Sequence, residues 1–287
     1  MEVTGSRERL RSAVAGARGA GRRIGLVPTM GAFHDGHLSL IRASAASPSF
    51  TVVSVFVNPL QFGPGEDYQR YPRDLENDTA LAARAGADLL YAPEVADLYP
   101  SGFRTAVTVR DLSDRLCGAT RRGHFEGVTT VVLKLLNIVG PDELHMGWKD
   151  AQQAIVVRRM IGDLDLPVEL RVHPTVREPD GLAMSSRNAY LTPGERDWAP
   201  AIHRALEAAE RRVLEGERDA AAIEVEVRRG LEGGPGRVEY VAVVDTVNLD
   251  PLARLSGEVL VATAVRLGGA RLIDNVRVYA APAPEAR

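Results

Sequence analysis

Short apolar segments alternate with longer segments of helical periodicity between Arg23 and Val172. Apolar, often β-branched runs predict buried strands at Ile24–Thr29, Thr51–Val57, Asp88–Tyr91, Glu143–Met146 and Val168–Val172. Apolar residues at helical spacing predict helices at His37–Ser44, Leu75–Ala85, Val128–Ile138 and Ala151–Ile161. This alternation indicates an α/β fold with a parallel sheet and right-handed crossovers. In such sheets, ligands bind beyond the carboxyl ends of the strands.

The pattern changes after about Thr175. Charged, alanine-rich amphipathic helices are predicted at Glu195–Glu215 and Asp219–Leu231, followed by strands at Val238–Val244, Val259–Thr263 and Leu272–Val278. Helices followed by consecutive strands predict a smaller α+β domain. We therefore expect domains at residues 1–175 and 176–287, and a mobile Pro/Ala tail at Ala280–Arg287.

Charge and composition narrow the function classes. The 287 residues carry a formal net charge of −3, which disfavours a protein that binds nucleic-acid backbone. The single cysteine, Cys117, excludes an internal disulfide framework and a cysteine-rich zinc site. No apolar run approaches the roughly 20 residues that span a bilayer, and Met1–Ala20 lacks the apolar core of a secretory signal. We expect a cytoplasmic protein that binds neither nucleic acid nor membrane.

The first candidate site is Pro28–His37, where the first predicted strand meets a helix. Backbone N–H groups and the helix dipole can bind a phosphate at such a point. Gly31 and Gly36 have the spacing of a P-loop, but His37 follows in place of lysine, and the dinucleotide fingerprint is absent. His34 and His37 can both donate to phosphate oxygens. A zinc site, or two incidental surface histidines, remains open as an alternative.

Two further segments can bind anions. In Met146–Gln153, Lys149 follows a strand and can hold a phosphate, while Gln153 lies one helical turn later and can bind a polar substrate. In Met184–Asn188, two hydroxyls and a guanidinium form a compact anion site after a Pro-Asp-Gly turn, so we expect a mobile loop. The alternative for Met146–Gln153 is a solvated helix start, and the alternative for Met184–Asn188 is an ordinary loop.

Two loops complete the candidates. Asn58–Gly63 follows the second predicted strand, where polar side chains are typical of a ligand site, although simple loop chemistry is the alternative. Arg121–Gly127 is a basic, glycine-containing turn, which we interpret as a loop or subunit contact in preference to a catalytic site.

The order of these segments resembles the class I aminoacyl-tRNA synthetase-like nucleotidyltransferases, and within them the pantoate–β-alanine ligase (pantothenate synthetase) family. The resemblance rests on Pro28–His37, Asn58–Gly63, Gly123–Thr130, Lys149–Gln153 and Arg177–Leu191. It implies a Rossmann-like N-terminal domain and the ATP-dependent condensation of pantoate with β-alanine through a pantoyl adenylate. It also implies Mg²⁺ with the ATP, no tightly bound prosthetic group, and a cytoplasmic homodimer.

The resemblance also implies the site residues. His37 would be the general acid, with His34 and Lys149 as further catalytic residues, and Gln61 and Gln153 would hold pantoate, with Gln61 also near β-alanine. ATP would be bound by Met30, Gly31, Ala32, Phe33, His34, Asp35, Gly36, His37, Gly147, Trp148, Lys149, Asp150, Val176, Met184, Ser185, Ser186 and Arg187.

Phe33, the pair His145–Met146 and Trp148 depart from the family pattern, yet none replaces an expected ligand side chain. Two rivals remain at this stage. One is another nucleotidyltransferase, such as a cytidylyltransferase or a truncated synthetase, and the other is a non-enzymatic binding or metal-carrying module built on His34 and His37.

Overall fold

A computed structural model describes residues 1–281. The chain divides into two compact units. The first contains Met1–Trp148 and Val156–Thr175, and the second contains Lys149–Ile155 and the chain from Val176 onward. The predicted domains, residues 1–175 and 176–287, place the short segment Lys149–Ile155 in the first domain, whereas here it belongs to the second unit. These domain bounds stay a prediction. Residues 282–287, most of the expected mobile tail, lie outside the described residues.

The first unit is built on a parallel sheet, as the apolar runs predict. Its strands are β1 (Glu2–Thr4), β2 (Arg23–Thr29), β3 (Ser49–Val55), β4 (Leu89–Tyr91), β5 (Glu143–Gly147) and β6 (Glu169–His173). Their order across the sheet is β1-β4-β3-β2-β5-β6, and every pairing is parallel. The predicted α/β class is therefore confirmed, although the short edge strand β1 has no counterpart in the sequence prediction.

The helices before β6 are α1 (Arg7–Gly19), α2 (Asp35–Ala46), α3 (Leu75–Ala85), α4 (Val95–Leu98), α5 (Cys117–Thr120), α6 (His124–Val139) and α7 (Ala151–Asp163). α3 has the predicted bounds because its signals are local: Asp74 accepts from the Asn77 N–H at the start, and Gly86 adopts φ +98° at the end. α2 begins two residues before the predicted His37 because His34 caps it. α1 was not predicted.

The second unit contains α8 (Pro193–Trp198), α9 (Ala201–Leu214), α10 (Ala220–Leu231), β7 (Arg237–Asp245), β8 (Gly257–Leu267) and β9 (Ala270–Ala280). The three strands form an antiparallel sheet in the order β7-β8-β9, so the predicted smaller α+β fold is confirmed. The single helix expected at Glu195–Glu215 is wrong. It is divided at Ala199–Pro200, where proline has no N–H to donate to the helical ladder.

Each unit has its own apolar core. In the first, buried residues of β2, β3 and β4 pack with those of α2 and α3, among them Val27, Ile41, Val53, Ala82 and Leu90. In the second, the apolar faces of α9 and α10 pack with those of β7, β8 and β9. No helix within residues 1–281 combines the length and apolar character needed to cross a bilayer.

Candidate functional site

The turn after β2 is held by a buried carboxylate on α3. Asp78 accepts hydrogen bonds from the N–H groups of Ala32 (2.9 Å) and Phe33 (2.8 Å), and its side chain is almost fully buried. Burial raises the pKa of this carboxyl above its usual value, although the two N–H donors act in the opposite direction. Gly31 adopts φ +83°, and a Cβ there would lie 2.7 Å from the Asp78 carboxylate. This turn therefore requires glycine.

His34 and His37 lie side by side at the start of α2, as predicted, with ring centroids 4.1 Å apart. Nδ1 of His34 accepts from the Gly36 N–H at 3.2 Å, and Nδ1 of His37 accepts from the His34 N–H at 3.4 Å. A ring whose Nδ1 accepts a hydrogen bond carries its proton on Nε2 when neutral. Both histidines can thus donate through Nε2, next to the positive end of the α2 dipole.

Most backbone N–H groups of this turn already have acceptors within the protein, and their part in phosphate binding stays a prediction. Donors from Gly31, Ala32, Phe33, His34 and Gly36 bond to Thr29, Asp78, His37 and His34 within the protein. Their role is to fix the turn. Each of the two imidazole rings uses Nδ1 within the turn, and its Nε2 can in addition donate to an anion.

Gln61 lies in a short 3-10 turn, Pro59–Gln61, that follows β3. Its Oε1 accepts from Asn58 Nδ2 at 3.1 Å, and its Nε2 donates to Met30 Sδ at 3.0 Å. Met30 and Gln61, both predicted site residues, are therefore in contact. Asn58 is itself fixed, because it donates to the Gly127 carbonyl at 2.9 Å and accepts from the Tyr99 hydroxyl at 2.9 Å.

The backbone of Gln61 is held by the basic loop before α6. The His124 Nδ1 lies 2.8 Å from the Gln61 carbonyl oxygen, which can only accept, so Nδ1 carries the proton. Arg121 then donates to His124 Nε2 at 3.0 Å and pairs with both oxygens of Glu66 at 2.7 and 2.5 Å. Burial alone would raise the pKa of Glu66, but Arg121 outweighs it and holds that pKa below its usual value. This loop, interpreted from sequence as a loop or subunit contact, supports a predicted substrate residue.

α6 packs tightly on the same turn. A Cβ on Gly127 would lie 2.7 Å from the Gln61 nitrogen and closer still to the Leu60 carbonyl oxygen, so only glycine allows this approach. Sequence reasoning missed Tyr99 and Glu66 as supports of the site. Their contacts join positions 41 and 55 residues apart in the chain, and such pairs leave no periodic signal.

In the second unit, Lys149 begins the segment that leads into α7. Its Nζ lies 3.7 Å from an oxygen of Asp150, whose side chain is half exposed, so this ion pair is weak. Its carbonyl oxygen accepts from Asn275 Nδ2 at 3.0 Å. Gln153 lies within α7, one turn further on. Gly147 and Trp148 belong to the first unit, where Gly147 ends β5 and the Trp148 side chain is buried.

The predicted anion loop follows a hairpin in which Arg177 pairs with Ala183, and it leads into a 3-10 turn. The Met184 N–H donates to the Val176 carbonyl at 3.0 Å, which brings these two predicted residues together. Ser185 caps the turn Ser186–Tyr190, and its hydroxyl accepts from the Arg187 N–H at 3.2 Å. Ser186 and Arg187 therefore occupy the first turn of this short helix. The mobility of the loop stays a prediction.

His145, one of the departures from the family pattern, is buried in the first unit. Its ring stacks on His173 at 5.1 Å, with Nδ1 of His145 at 2.9 Å from Nε2 of His173. Burial is the main cause that lowers the pKa of His145 to about 4. Both rings are therefore neutral near pH 7, with one donating to the other.

A zinc site on His34 and His37 would need further ligands. Within residues 1–281, no group of three or more His, Cys, Asp or Glu side chains could hold a metal ion.

The chain is similar to known proteins over almost its full length. Residues 2–277 match the pantoate-beta-alanine ligase family. The pantothenate synthetase of Moorella thermoacetica is 52% identical over 277 residues, covering 96% of this chain and 98% of that protein. A crystal structure of pantothenate synthetase from Thermus thermophilus is 46% identical, with a TM-score of 0.92 over 97% of this chain and 100% of that one. The pantoate-beta-alanine ligase of Francisella tularensis, crystallised with beta-gamma ATP and beta-alanine, is 31% identical, with a TM-score of 0.77 over 96% of this chain and 97% of that one.

Proposed function

The chain belongs to the pantoate-β-alanine ligase family, and we propose that it condenses pantoate with β-alanine through an enzyme-bound pantoyl adenylate. In the first step, a carboxylate oxygen of pantoate attacks the α-phosphorus of ATP and pyrophosphate leaves. In the second, the amine of β-alanine attacks the acyl carbon and AMP leaves. The observation that carries this proposal is the pair His34 and His37, whose Nε2 atoms can donate to phosphate from a fixed turn.

Attack on the α-phosphorus increases negative charge on the phosphate oxygens, so donors held in place before the reaction stabilise the transition state. We assign this role to His34 and His37, with His37 as the general acid. Asp78 keeps both rings in position because it fixes the turn that precedes them. We assign ATP binding to the turn Met30–His37 and to Gly147 and Trp148.

In the second unit we assign ATP contacts to Lys149, Asp150, Val176 and the segment Met184–Arg187. Lys149 is a compact cation suited to the β- or γ-phosphate, where charge grows as pyrophosphate departs. Ser186 and Arg187 add a hydroxyl and a guanidinium, which bind phosphate oxygens well. Magnesium enters with the nucleotide as MgATP and is part of the substrate.

We assign pantoate to Gln61 and Gln153, with β-alanine adjacent to Gln61. The contacts of Gln61 support this assignment, because both ends of its amide and its carbonyl are fixed before a substrate binds. The amide-forming step requires mainly that the amine and the acyl carbon be held close together. We further propose a homodimer that works in the cytoplasm, as the family resemblance implies.

Oxygen transfer tests the adenylate directly. Pantoate labelled with ¹⁸O in its carboxylate is turned over with ATP and β-alanine, and the products are analysed by mass spectrometry. Attack through an adenylate transfers one ¹⁸O atom to AMP. Label in inorganic phosphate, with ADP as the nucleotide product, would mean an acyl phosphate and would overturn the proposal.

A further inference from the structure

Two adjacent side chains of β9 contact Lys149 and the hairpin that precedes Met184–Arg187. Asn275 Nδ2 donates to the Lys149 carbonyl at 3.0 Å, and Asp274 accepts two hydrogen bonds from Arg177 at 2.6 and 3.0 Å. Lys149, Arg177, Asp274 and Asn275 all belong to this unit. Neither Asp274 nor Asn275 has a role in the chemistry described above.

Asp274 occupies an unusual position for a carboxylate. It falls on the side of β9 that carries Leu272 and Val276 into the core, and its side chain is 4% exposed. Its bidentate partner, Arg177, also donates to the Gly181 carbonyl at 3.1 Å. A planar guanidinium with several fixed acceptors has little freedom. Arg177 thereby joins the hairpin Arg177–Ala183 to β9, and Met184–Arg187 follows this hairpin directly.

Asn275 lies on the opposite side of β9 and is also buried. Its backbone N–H donates to Asp274 Oδ1 at 2.8 Å, so the Asp274 carboxylate is tied to the main chain of Asn275. The hydrogen bond from its amide fixes the main chain at Lys149. Within residues 1–281, the Lys149 ammonium makes one long ion pair, with Asp150, so the main-chain anchor adds a constraint on where this side chain begins.

We propose that Asp274 and Asn275 are positioning residues for phosphate binding, with Asn275 setting the place of Lys149 and Asp274 that of Ser186 and Arg187. This inference rests on the proposed function. Because pyrophosphate is absent when β-alanine attacks the adenylate, the pair serves the adenylate-forming step alone. The three-stranded sheet is then part of the catalytic apparatus, through contacts made by two consecutive residues of one strand.

The decisive variant is Asn275→Ala, because loss of one partner of the buried Arg177–Asp274 pair destabilises the fold by itself. Thr246→Val is the matched control: Thr246 is buried in the same unit, and its hydroxyl makes one hydrogen bond, to Glu258 at 3.3 Å. Asn275→Asp keeps the side-chain shape while it replaces the donor with an acceptor, and it provides a second variant that retains the packing.

The kinetic readout separates the two half-reactions by single turnover. We expect Asn275→Ala and Asn275→Asp to slow adenylate formation by roughly 10- to 100-fold, since small misplacements of a catalytic group have effects of this size. Starting from synthetic pantoyl adenylate, both variants should form pantothenate at about the parent rate. In a Lys149→Ala background, Asn275→Ala should add almost nothing, because residues that act through one another are not additive.

A second readout does not depend on turnover. The chain has two lysines, Lys134 and Lys149, so ¹³C-labelled lysine gives a simple spectrum in which Lys134 is the internal control. Titration with pyrophosphate and magnesium should shift the Lys149 signal in the parent and in Thr246→Val. In Asn275→Ala, the same shift should need roughly tenfold more pyrophosphate.

The outcomes are distinct. If the parent forms no pantoyl adenylate, the proposed function fails and this inference fails with it. If the parent forms it, while Asn275→Ala and Asn275→Asp match Thr246→Val or slow both half-reactions equally, Asn275 has only a structural role and the inference alone is overturned. Fully multiplicative effects of Asn275→Ala and Lys149→Ala would overturn it as well.

Discussion

Replacing Asp78 with alanine removes the acceptor of two buried N–H groups in the turn that carries His34 and His37. The Ala32 and Phe33 donors lie 2.9 and 2.8 Å from the carboxylate. Each hydrogen bond to a charged acceptor contributes about 1.5–3 kcal/mol, so two contribute about 3–6 kcal/mol. The carboxylate is also costly to bury, and its removal recovers part of this. We expect the free energy of unfolding of the first unit to fall by about 2–4 kcal/mol.

Asp78→Asn is the matched variant. Its single carbonyl oxygen can accept from one N–H, while its amide nitrogen opposes the other, so we expect about half of the alanine loss. Unfolding by urea can be followed in a Trp198→Phe background, because the remaining tryptophan, Trp148, belongs to the same unit as Asp78. Adenylate formation should slow by about 10²-fold in Asp78→Ala, since both imidazoles lose their fixed position. A loss below about 1 kcal/mol with unchanged adenylate formation would refute the role given to Asp78.

The Asp78 carboxyl should also make the stability of the first unit depend on pH. Its pKa is raised in the folded state, so the folded protein binds this proton at pH values where the unfolded chain has released it. The stability of the parent relative to Asp78→Asn should therefore fall as pH rises above about 3.9, the ordinary value of an aspartate. If the stability of the parent relative to Asp78→Asn instead increased as pH rises, Asp78 would not be the group with the raised pKa.

Three further changes have separable results. Lys149→Ala should slow adenylate formation by about 10²–10³ and leave the amide step from synthetic adenylate near the parent rate, because one preorganised donor is lost where charge develops. Gln61→Ala should weaken use of pantoate and β-alanine by about 1.5–3 kcal/mol and leave ATP binding nearly intact, which initial rates at varied substrate can measure. His145→Phe should flatten the pH dependence of stability between about pH 4 and 6.5. In the parent, His145 with its pKa lowered to about 4 stays neutral there while the unfolded chain takes up a proton, so stability is lost as pH falls through this interval.

For each of these three variants, one result would contradict the expectation. Equal slowing of both half-reactions in Lys149→Ala would assign that residue to the amide step or to the fold. Damaged ATP binding with normal pantoate dependence would refute the role of Gln61. A urea midpoint that depends on pH in the same way in His145→Phe and in the parent would show that His145 is not the group that titrates.

The sequence predicted several elements whose signals are local, although it missed α1, which is capped by Ser6. The apolar run of β3 and the cap residues of α3 are such signals, and both elements were found near or at the predicted bounds. The break at Pro200 was missed because the amphipathic pattern continues through it on both sides. The spacing of apolar residues shows which face of a helix is buried, but it gives no sign that one backbone N–H is missing at a proline.

The supports of the site were not predictable in this way. Asp78 lies 46 residues from Ala32, and Asp274 lies 97 residues from Arg177, so their pairing is decided by tertiary packing alone. The turn after β2 shows the consequence. Its glycine and its histidines suggested backbone phosphate contacts, whereas the Asp78 carboxylate already binds two of the N–H groups concerned.

Exchange of labelled pyrophosphate into ATP, with pantoate present and β-alanine omitted, is the direct test that this chain forms a pantoyl adenylate. It depends only on reversible formation of an enzyme-bound adenylate from the chosen acid. We expect exchange that requires pantoate and that is not supported by amino acids or phospho-alcohols. Absence of pantoate-dependent exchange in folded protein, or exchange supported equally by an amino acid, would contradict it.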